Sequence, residues 1–388
     1  MTTATAQKRI LITGGAGFIG SNLALSLLAR GHDVTVLDNL SPQIHGADPE
    51  QSALYRSIRD RVRFVRGDVT HRDQLVSALT GQQVVVHFAA ETGTGQSMYE
   101  IQRYCHVNVG GTALLLDLLA NTVKGIERVV VASSRSVYGE GKYLSPELGP
   151  VYPGHRNAED MSAGLFEVTY PGCSQPLNLA PTDENSKIHP SSVYGITKQM
   201  QEQLVMTVCP TIGISPVAFR YQNVYGPGQS LSNPYTGILS IFSNLAMSGK
   251  SINVFEDGKE SRDFVFIDDV VEATALGIEK DEARGNVFNV GYGSSVDVLT
   301  VAKTIANYIN PKTSISISGD FRLGDIRHNY ACLRKTKEVL GFIPKYSFER
   351  GVYLFCQWAI SQGARDTDFQ RSLDEMASKG LLRPAVIS

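Results

Sequence analysis

The sequence contains few cysteines, no long apolar run and no excess of charge of either sign. Its five cysteines among 388 residues are odd in number and include no CxxC pair, which argues against a disulfide framework or a structural zinc site and favours a reducing, cytoplasmic environment. The 36 Lys and Arg against 38 Asp and Glu leave a net charge of −2, so we expect neither nucleic acid nor a membrane surface as a partner. No run approaches the ~20 apolar residues of a transmembrane helix, and the N-terminal MTTATAQKR lacks the apolar core of a secretory signal.

A glycine-rich turn follows the first predicted strand. The segment TGGAGFIG, residues 13–20, stands between a short apolar strand and an apolar helix. Gly14 and Gly17 would let the backbone approach a pyrophosphate, and Gly20 would let the helix pack closely on the strand. The N-terminus of that helix would attract the negative charge. The turn is therefore predicted to bind a dinucleotide.

An aspartate stands at the end of each of the next two predicted strands. Asp38 follows the strand at 34–37, where an acid binds the ribose 2′-hydroxyl of NAD and repels the 2′-phosphate of NADP. Asp68 follows the third strand and could accept a hydrogen bond from the adenine amino group, or else cap a helix. The sequence therefore predicts a site that prefers NAD over NADP.

Strands and helices alternate over the first two hundred residues. Further apolar strands are predicted at 84–90 and 128–132, with a strongly apolar helix at 108–121 between them. This alternation is typical of an α/β fold with a doubly wound parallel sheet, the Rossmann fold. Because ligands bind such sheets at the carboxyl ends of the strands, we expect Ala90 and Ser134 to lie at the site.

One helix carries a tyrosine and a lysine four residues apart, Tyr194 and Lys198, and Ser191 or Ser192 is predicted to cap its N-terminus. Side chains at this spacing are neighbours on a helix surface. A cation beside a phenol favours the phenolate and lowers its pKa, so the two residues are a candidate acid/base pair. The apolar residues that recur at every fourth position are predicted to form the buried face of the helix: Ile196, Met200, Leu204 and Val208.

The alternating pattern breaks between residues 139 and 189, where prolines, glycines and charges follow no period. We predict a long ordered loop or a small insertion over the site. We divide the chain into an NAD-binding Rossmann domain, residues 1–220, to which residues 262–282 return, and a smaller C-terminal substrate-binding lobe, residues 221–388. Residues 366–388 are predicted to form a polar helical tail.

The motifs, taken together, resemble those of the extended short-chain dehydrogenase/reductase family that acts on nucleotide sugars. In order along the chain they are TGGAGFIG, Asp38, SSRSVYG, Tyr194-x-x-x-Lys198, RYQNVYGPGQ, SRDFVFIDD and RLGD. The resemblance implies that Ser134 and Tyr194 contact the sugar 4-hydroxyl, while Lys198 binds the nicotinamide ribose and tunes the tyrosine. It also implies a site for the diphosphate and the nucleoside ribose, where an arginine fork suits phosphate: Asn223, Arg262, Arg322 and Asp325.

The complete set of predicted ligand residues combines the turn, the strand ends and this resemblance. The predicted cofactor residues are Gly14, Gly17, Phe18, Ile19, Gly20, Asp38, Asn39, Asp68, Val69, Phe88, Ala89, Ala90, Asn108, Tyr194, Lys198 and Tyr221. The predicted substrate residues are Thr92, Ser134, Arg135, Ser136, Asn223, Gln229, Arg262, Arg322 and Asp325. The predicted catalytic residues are Ser134, Tyr194 and Lys198, and no metal site is predicted.

The two positions after Ser134 indicate the reaction within the family. The 4,6-dehydratases place Asp and Glu there, and the decarboxylases a Glu, whereas this sequence has Arg135 and Ser136. The resemblance therefore implies a 4-epimerase, in which Tyr194 takes the 4-hydroxyl proton and a resident NAD removes and returns the C4 hydride. A redox-silent NAD-binding sensor and a 4-ketoreductase are the open alternatives.

The long insertion between Ser134 and Tyr194 indicates the substrate. Together with AAETGTGQSMYEI and APTDEN it resembles members that interconvert dTDP-L-rhamnose and dTDP-6-deoxy-L-talose, with UDP-glucose and UDP-glucuronate as the alternatives. Three apolar residues of the insertion could form a lid over the sugar methyl or pack the insertion's own core: Leu165, Phe166 and Val168. The resemblance also implies a homodimer, formed through the helix at 110–121 and the Tyr194 helix.

Overall fold

A parallel sheet of seven strands forms the centre of the computed structural model, which describes residues 6–233, 235, 237–365 and 369–385. Its strands are β1 Arg9–Thr13, β2 Asp33–Asp38, β3 Arg63–Arg66, β4 Val84–His87, β5 Arg128–Ser134, β6 Ser215–Tyr221 and β7 Asn286–Val290. The strand order is β7-β6-β5-β4-β1-β2-β3, and every neighbouring pair is parallel. The predicted doubly wound α/β fold is confirmed.

Helices cover both faces of this sheet, which explains the apolar character of its central strands. Every residue of β5 is buried, as is every residue of β4. Strands that are covered on both faces read as continuous apolar runs rather than as alternating ones. Polar residues stand at the carboxyl ends of these strands, among them Asp38 at the end of β2 and Ser134 at the end of β5.

The remaining elements surround the sheet or build the smaller lobe. The helices are Phe18–Ala29, Pro42–His45, Ala53–Ile58, Arg72–Leu79, Thr94–Ser97, Ile101–Tyr104, Gly111–Asn121, Ala158–Ser162, Val193–Thr211, Ile238–Met247, Ile267–Glu279, Val298–Ile309, Arg334–Leu340, Phe348–Gln362 and Phe369–Ser378, with a π-helix at Cys105–Gly110 and short 3-10 turns at Pro49–Gln51, Arg135–Tyr138 and Asp281–Ala283. The additional strands are Tyr143–Ser145, Gly149–Val151, Asn178–Leu179, Asn223–Tyr225, Ile252–Val254, Ser261–Arg262, Phe264–Phe266, Val296–Asp297, Ile315–Ile317, Phe321–Arg322, His328–Asn329 and Leu382–Arg383. No helix in the described ranges is long and apolar enough to cross a membrane.

The segment 262–282 returns to the large sheet only in part. Its helix, Ile267–Glu279, packs against the helix Phe18–Ala29. Its strand, Phe264–Phe266, pairs instead with Asn223–Tyr225 in a separate two-stranded sheet. The strand that completes the large sheet is β7, which lies beyond the predicted boundary and pairs with β6. The division into a cofactor domain and a substrate lobe stays a prediction.

The residues between 139 and 189 form a small folded insertion. Tyr143–Ser145 pairs antiparallel with both Gly149–Val151 and Asn178–Leu179. A small apolar cluster around Tyr143, Val151 and Val168 supports this sheet. The insertion therefore has a small core of its own, which is one of the two alternatives that the sequence left open.

The helix that carries Tyr194, Val193–Thr211, has the predicted cap but buries a different face. Ser192 is its N-cap and accepts a hydrogen bond from the backbone N–H of Gly195 at 3.1 Å. Half of the predicted apolar face is exposed: Ile196 is 46% and Met200 41% exposed, whereas Leu204 and Val208 are half-buried and pack against the core. Polar side chains are buried in its place because they have partners in the sheet: Lys198, Gln201 and Glu202. The prediction of the buried face is therefore wrong for Ile196 and Met200 and holds in part for Leu204 and Val208.

Candidate active site

Two adjoining cavities lie at the carboxyl ends of the strands. The first, of about 340 Å³, surrounds the glycine-rich turn, and we refer to it as the turn cavity. The second, of about 430 Å³, contains three arginines, and we refer to it as the arginine cavity. Ser134 and Tyr194 lie on the walls of both cavities. A molecule that filled both would therefore pass beside these two hydroxyl groups.

The turn cavity is shaped by a close approach of backbone that only glycine allows. Gly14 has φ +67°, and a Cβ atom there would lie 2.7 Å from the backbone nitrogen of Ala89. A Cβ atom on Gly20 would lie 2.5 Å from the carbonyl oxygen of Gly14. The following helix begins at Phe18 with no side-chain cap, so its first N–H groups are free to bind an anion.

Asp38 holds this turn in place as well as facing the cavity. Its carboxylate accepts hydrogen bonds from the backbone N–H groups of Ala16 at 2.9 Å and Leu40 at 2.8 Å. Burial raises the pKa of Asp38, and these hydrogen bonds oppose the rise. Leu40 has φ +55°, a conformation that a leucine rarely adopts. The carboxylate therefore stabilises the loop on either side of the cavity.

All but one of the predicted cofactor residues lie on the wall of the turn cavity. The lining residues are Gly14, Gly17, Phe18, Ile19, Gly20, Asp38, Asn39, Asp68, Val69, Phe88, Ala89, Ala90, Tyr194, Lys198 and Tyr221. Asn108 is fully buried away from it and belongs to the π-helix. Its amide group donates to the Glu91 carbonyl at 3.1 Å and to Thr197 Oγ1 at 3.0 Å. Asn108 therefore joins the loop after β4 to the Tyr194 helix, and its role in cofactor binding stays a prediction.

Tyr194 and Ser134 form the hydroxyl pair between the two cavities. Burial raises the pKa of Tyr194, and a hydrogen bond with Ser134 and the charge of Arg135 oppose that rise. This direction is opposite to the lowering predicted from the nearby Lys198. Ser134 also accepts hydrogen bonds from Ser136, from its N–H at 3.2 Å and its hydroxyl at 2.9 Å. The backbone after β5 therefore fixes the position of the Ser134 hydroxyl.

Lys198 is held by a buried polar chain that the sequence did not reveal. Its ammonium group donates to the carbonyl of Ala132 and to Gln201 Oε1, both at 2.9 Å. The Gln201 amide donates in turn to Thr112 Oγ1 at 2.9 Å, which lies 2.9 Å from His87 Nε2. Burial lowers the pKa of Lys198 to about 7. The signal for Gln201 was its position three residues after Lys198, on the same side of the helix.

The arginine cavity is lined by all nine predicted substrate residues and contains polar atoms without partners. The predicted residues on its wall are Thr92, Ser134, Arg135, Ser136, Asn223, Gln229, Arg262, Arg322 and Asp325. Within the described ranges, several buried atoms on this wall lack a hydrogen-bond partner: both amide atoms of Gln222, Asn223 Oδ1, Gln229 Oε1, Glu260 Oε2 and Arg322 Nε. Such atoms cost free energy unless a ligand or water pairs with them. Their concentration here indicates a polar ligand.

A buried ion network lies behind the arginine cavity. Arg327 is 0% exposed and contacts Asp257 at 2.7 Å, Glu256 at 2.8 Å and Glu167, in the insertion, at 2.6 Å. Glu256 also pairs with Arg156 of the insertion at 2.7 Å. This arrangement ties the insertion to the wall that carries Arg262 and Arg322. The guanidinium of Arg327 supplies the positive charge for this acidic group, so no metal ion is needed there.

The network contains a carboxyl group whose titration is expected to affect stability. Burial raises the pKa of Glu140 from 4.5 to about 7. The folded state therefore holds the Glu140 proton more tightly than the unfolded state does. The stability that this proton contributes is fully present below the unfolded pKa and is lost as the pH rises through the folded pKa. The Glu140→Gln protein should therefore lose less stability than the native protein between about pH 5 and about pH 8. Thermal unfolding across this pH range would measure the loss of stability of each protein, with Glu147→Gln, at an exposed glutamate, as control. Equal losses in the native and Glu140→Gln proteins would contradict the prediction.

The apolar residues proposed as a lid over the sugar lie elsewhere. Phe166 is 5% exposed and packs with Met161 and Phe321, while Val168 packs in the insertion sheet. Leu165 is 64% exposed. None of the three lies on the wall of either cavity. The alternative prediction, that they pack the insertion itself, holds for Phe166 and Val168.

Comparison with known proteins agrees with this arrangement. The sequence profile of the NAD dependent epimerase/dehydratase family matches residues 10–157 and 167–291. The chain is 38% identical to the dTDP-L-rhamnose 4-epimerase of Burkholderia thailandensis, over 92% of this chain and 96% of that protein.

Solved structures of two relatives share the fold over nearly their whole length. The UDP-glucose 4-epimerase of Thermotoga maritima, solved with UDP-glucose, has a TM-score of 0.73 and 27% identity, covering 91% of this chain and 99% of that one. MoeE5, solved with UDP-glucuronic acid and NAD, has a TM-score of 0.71 and 28% identity over the same fractions. The likeness therefore extends beyond the glycine-rich turn to the smaller lobe.

Proposed function

Because the chain belongs to the NAD dependent epimerase/dehydratase family, we propose that it is an NAD-dependent nucleotide-sugar 4-epimerase that converts dTDP-L-rhamnose to dTDP-6-deoxy-L-talose. The observation that carries the reaction type is the pair Ser134 and Tyr194 at the junction of the two cavities, followed by Arg135 and Ser136 rather than by acids. The substrate follows from the 38% identity to the Burkholderia enzyme.

The turn cavity fits NAD. The close approach at Gly14 leaves room for a pyrophosphate beside the open helix N-terminus. Asp38 presents a carboxylate to the same cavity, and Lys198 lies on the opposite side of it with Tyr194. NAD bound there supplies the acceptor, and then the donor, of the C4 hydride.

The residues of the chain would move the proton and hold the sugar. Tyr194 would take the proton of the 4-hydroxyl while Ser134 donates a hydrogen bond to the same oxygen. The cation of Lys198, positioned by Gln201, would stabilise the phenolate and bind the nicotinamide ribose. Since neither Arg135 nor Ser136 can eliminate water from the sugar, the 4-keto sugar would persist until hydride returns to its other face.

For hydride to return to the other face, the 4-keto sugar must rotate in the site. The arginine cavity would hold the diphosphate during this rotation. Arg262 and Arg322 carry the charge, and the buried Nε of Arg322, which lacks a partner, would donate to a phosphate oxygen. The buried Asn223 Oδ1 would accept from a hydroxyl group of the ligand. A firm hold on the diphosphate leaves the sugar free to present either face of C4. The same sites would suit a UDP-sugar, so the sugar and the base must be separated by experiment.

The test of this proposal compares nucleotide sugars without added NAD. We expect inversion at C4, followed by NMR, to be fastest with dTDP-L-rhamnose and slower with UDP-glucose and UDP-glucuronate. Faster turnover of a UDP-sugar would overturn the substrate and leave the reaction type intact. If the protein contains NAD but turns over none of the sugars, the result would favour a redox-silent NAD-binding sensor.

Replacement of Asp38 by Ala is expected to reduce the preference for NAD. Without the carboxylate, a 2′-phosphate is no longer repelled, and the hydrogen bonds to Ala16 and Leu40 are lost as well. Bound cofactor should therefore fall in amount and contain a larger share of NADP. Mass spectrometry of the released cofactor measures both effects. A native protein that carries mainly NADP would contradict the assignment.

We also propose a homodimer formed through the exposed apolar face of the Tyr194 helix. Ile196 and Met200 on this helix, and Ile101 on an adjacent one, are between 41% and 52% exposed. An apolar patch on neighbouring helices is typical of a protein interface. Met200→Glu should therefore produce a monomer in sedimentation experiments at micromolar concentration. Ile360→Glu, at an equally exposed site on another helix, should leave the dimer intact; a monomeric native protein would contradict the proposal.

A further inference from the structure

The C-terminal segment, residues 369–385, closes one side of the arginine cavity. It consists of the helix Phe369–Ser378 and the short strand Leu382–Arg383. Phe369 and Met376 lie on the cavity wall, and Met376 is only 4% exposed. The segment that the sequence presents as a polar tail therefore contributes to the substrate side of the site.

Two kinds of contact fasten the segment across the cavity. Glu375 accepts hydrogen bonds from the hydroxyls of Tyr99 at 3.2 Å and Tyr235 at 2.9 Å. Tyr235 itself lies on the cavity wall, and Tyr99 follows the loop that carries Thr92. Burial raises the pKa of Tyr99, so its hydroxyl remains a donor. One carboxylate oxygen thus joins the C-terminal helix to loops on two sides of the cavity.

The second fastening lies beside a predicted phosphate ligand. Leu382–Arg383 pairs antiparallel with Phe321–Arg322, and the N–H of Leu323 donates to the carbonyl of Leu381 at 2.9 Å. The side chain of Arg322 points into the cavity and pairs with Asp325 at 2.7 Å. Displacement of the segment would therefore disturb the strand that positions Arg322.

The surface that the segment presents to the cavity is apolar. Met376 lies against the loop before Tyr99: a Cβ atom on Gly95 would be 3.0 Å from its sulfur. Gly95 and Met376 line the same cavity as Ser134 and Tyr194, the two residues that we assign to the sugar. The charged neighbours on the helix do not line the cavity: Arg371 is 74% exposed and pairs with Glu375 at 3.3 Å, and Glu375 also binds the two tyrosines.

We propose that residues 369–385 form a strap over the bound nucleotide sugar and that Met376 and Phe369 are its specificity-determining residues, which select a sugar with a methyl group at C6. The proposal rests on the proposed function and deepens it. A hydroxyl or carboxylate group at C6 would be desolvated by the thioether of Met376 and the phenyl ring of Phe369, and neither could offer a strong hydrogen bond in place of the lost water. A methyl group gains apolar contact at the same place.

The specificity is tested with dTDP-L-rhamnose and dTDP-L-mannose, which differ only in the C6 hydroxyl. The native protein should prefer the 6-deoxy sugar in kcat/KM by about 10- to 100-fold, the range for a hydroxyl in an apolar pocket. Met376→Gln should reduce this preference about tenfold, because the amide gives the hydroxyl a partner. Ala377→Gln, which places the same amide on the exposed side of the same helix, should leave it unchanged. Equal preference in the native and Met376→Gln proteins would overturn the assignment of Met376.

The closure is tested without catalysis, by hydrogen exchange of residues 369–385 with and without dTDP. We expect slower exchange in this segment when dTDP binds. Tyr99→Phe combined with Tyr235→Phe, which removes both hydroxyl groups from Glu375, should weaken dTDP binding in calorimetry and raise KM while kcat is retained. Unchanged exchange and unchanged dTDP affinity would overturn the strap. Protection by dTDP in a protein that epimerises no sugar would support the strap and refute the proposed function instead.

Discussion

Tyr194→Phe is expected to abolish nearly all turnover and to leave the fold and the bound NAD in place. The substitution removes one hydroxyl from a side chain that lines both cavities, and no other described phenol occupies the same position between them. Loss of a positioned acid/base group typically costs about 10²- to 10⁴-fold in rate. C4 inversion followed by NMR gives the rate, and mass spectrometry gives the cofactor content.

A matched control distinguishes the loss of the Tyr194 hydroxyl from a general effect of replacing a tyrosine by phenylalanine. Tyr308 is 43% exposed and lies on a helix of the smaller lobe, so Tyr308→Phe should have the native rate. Near-native epimerisation by the Tyr194→Phe protein would show that another group is the base. Loss of NAD together with the rate would instead assign Tyr194 a role in cofactor binding.

Arg327→Met is expected to destabilise the fold strongly. Arg327 is fully buried, and the substitution would leave Glu256 and Asp257 with one cation fewer between them. Removal of one partner from a buried ion pair typically costs about 3–5 kcal/mol, because the remaining charge is then buried without compensation. Chemical denaturation of the native and Arg327→Met proteins would measure the difference in free energy of unfolding.

The control for this substitution is an arginine in an exposed pair. Arg72 and Asp117 are each 52% exposed and 3.1 Å apart, and such pairs contribute about 0–1 kcal/mol. Arg72→Met should therefore have little effect. Since Arg327 also joins the insertion to the wall near Arg262, the Arg327→Met protein should bind dTDP more weakly at temperatures where it remains folded. A loss below about 1 kcal/mol would show that the acids are neutral in the folded state.

Features that depend on neighbours along the chain could be predicted from the sequence. The glycine-rich turn, the cap at Ser192 and the apolar central strands are all set by local conformation and periodicity, and the structure has each of them. The parallel sheet followed because strands that alternate with helices have few other ways to pack. Once the sheet was predicted, the site could be expected at the carboxyl ends of its strands. Nearly all predicted ligand residues accordingly lie on the walls of the two cavities.

Features that depend on partners far away in the chain were decided only by the tertiary structure. The Tyr194 helix buries Lys198, Gln201 and Glu202, because those polar groups find partners on β5, β6 and the helix Gly111–Asn121. The first two residues of its apolar row, Ile196 and Met200, are exposed instead. The seventh strand was missed for the same reason, since strand pairing is not encoded in the strand alone. The position of Met376 at the arginine cavity follows from hydrogen bonds between Glu375 and two distant tyrosines. Periodicity gives the faces of an element, and only its packing partners decide which face is buried.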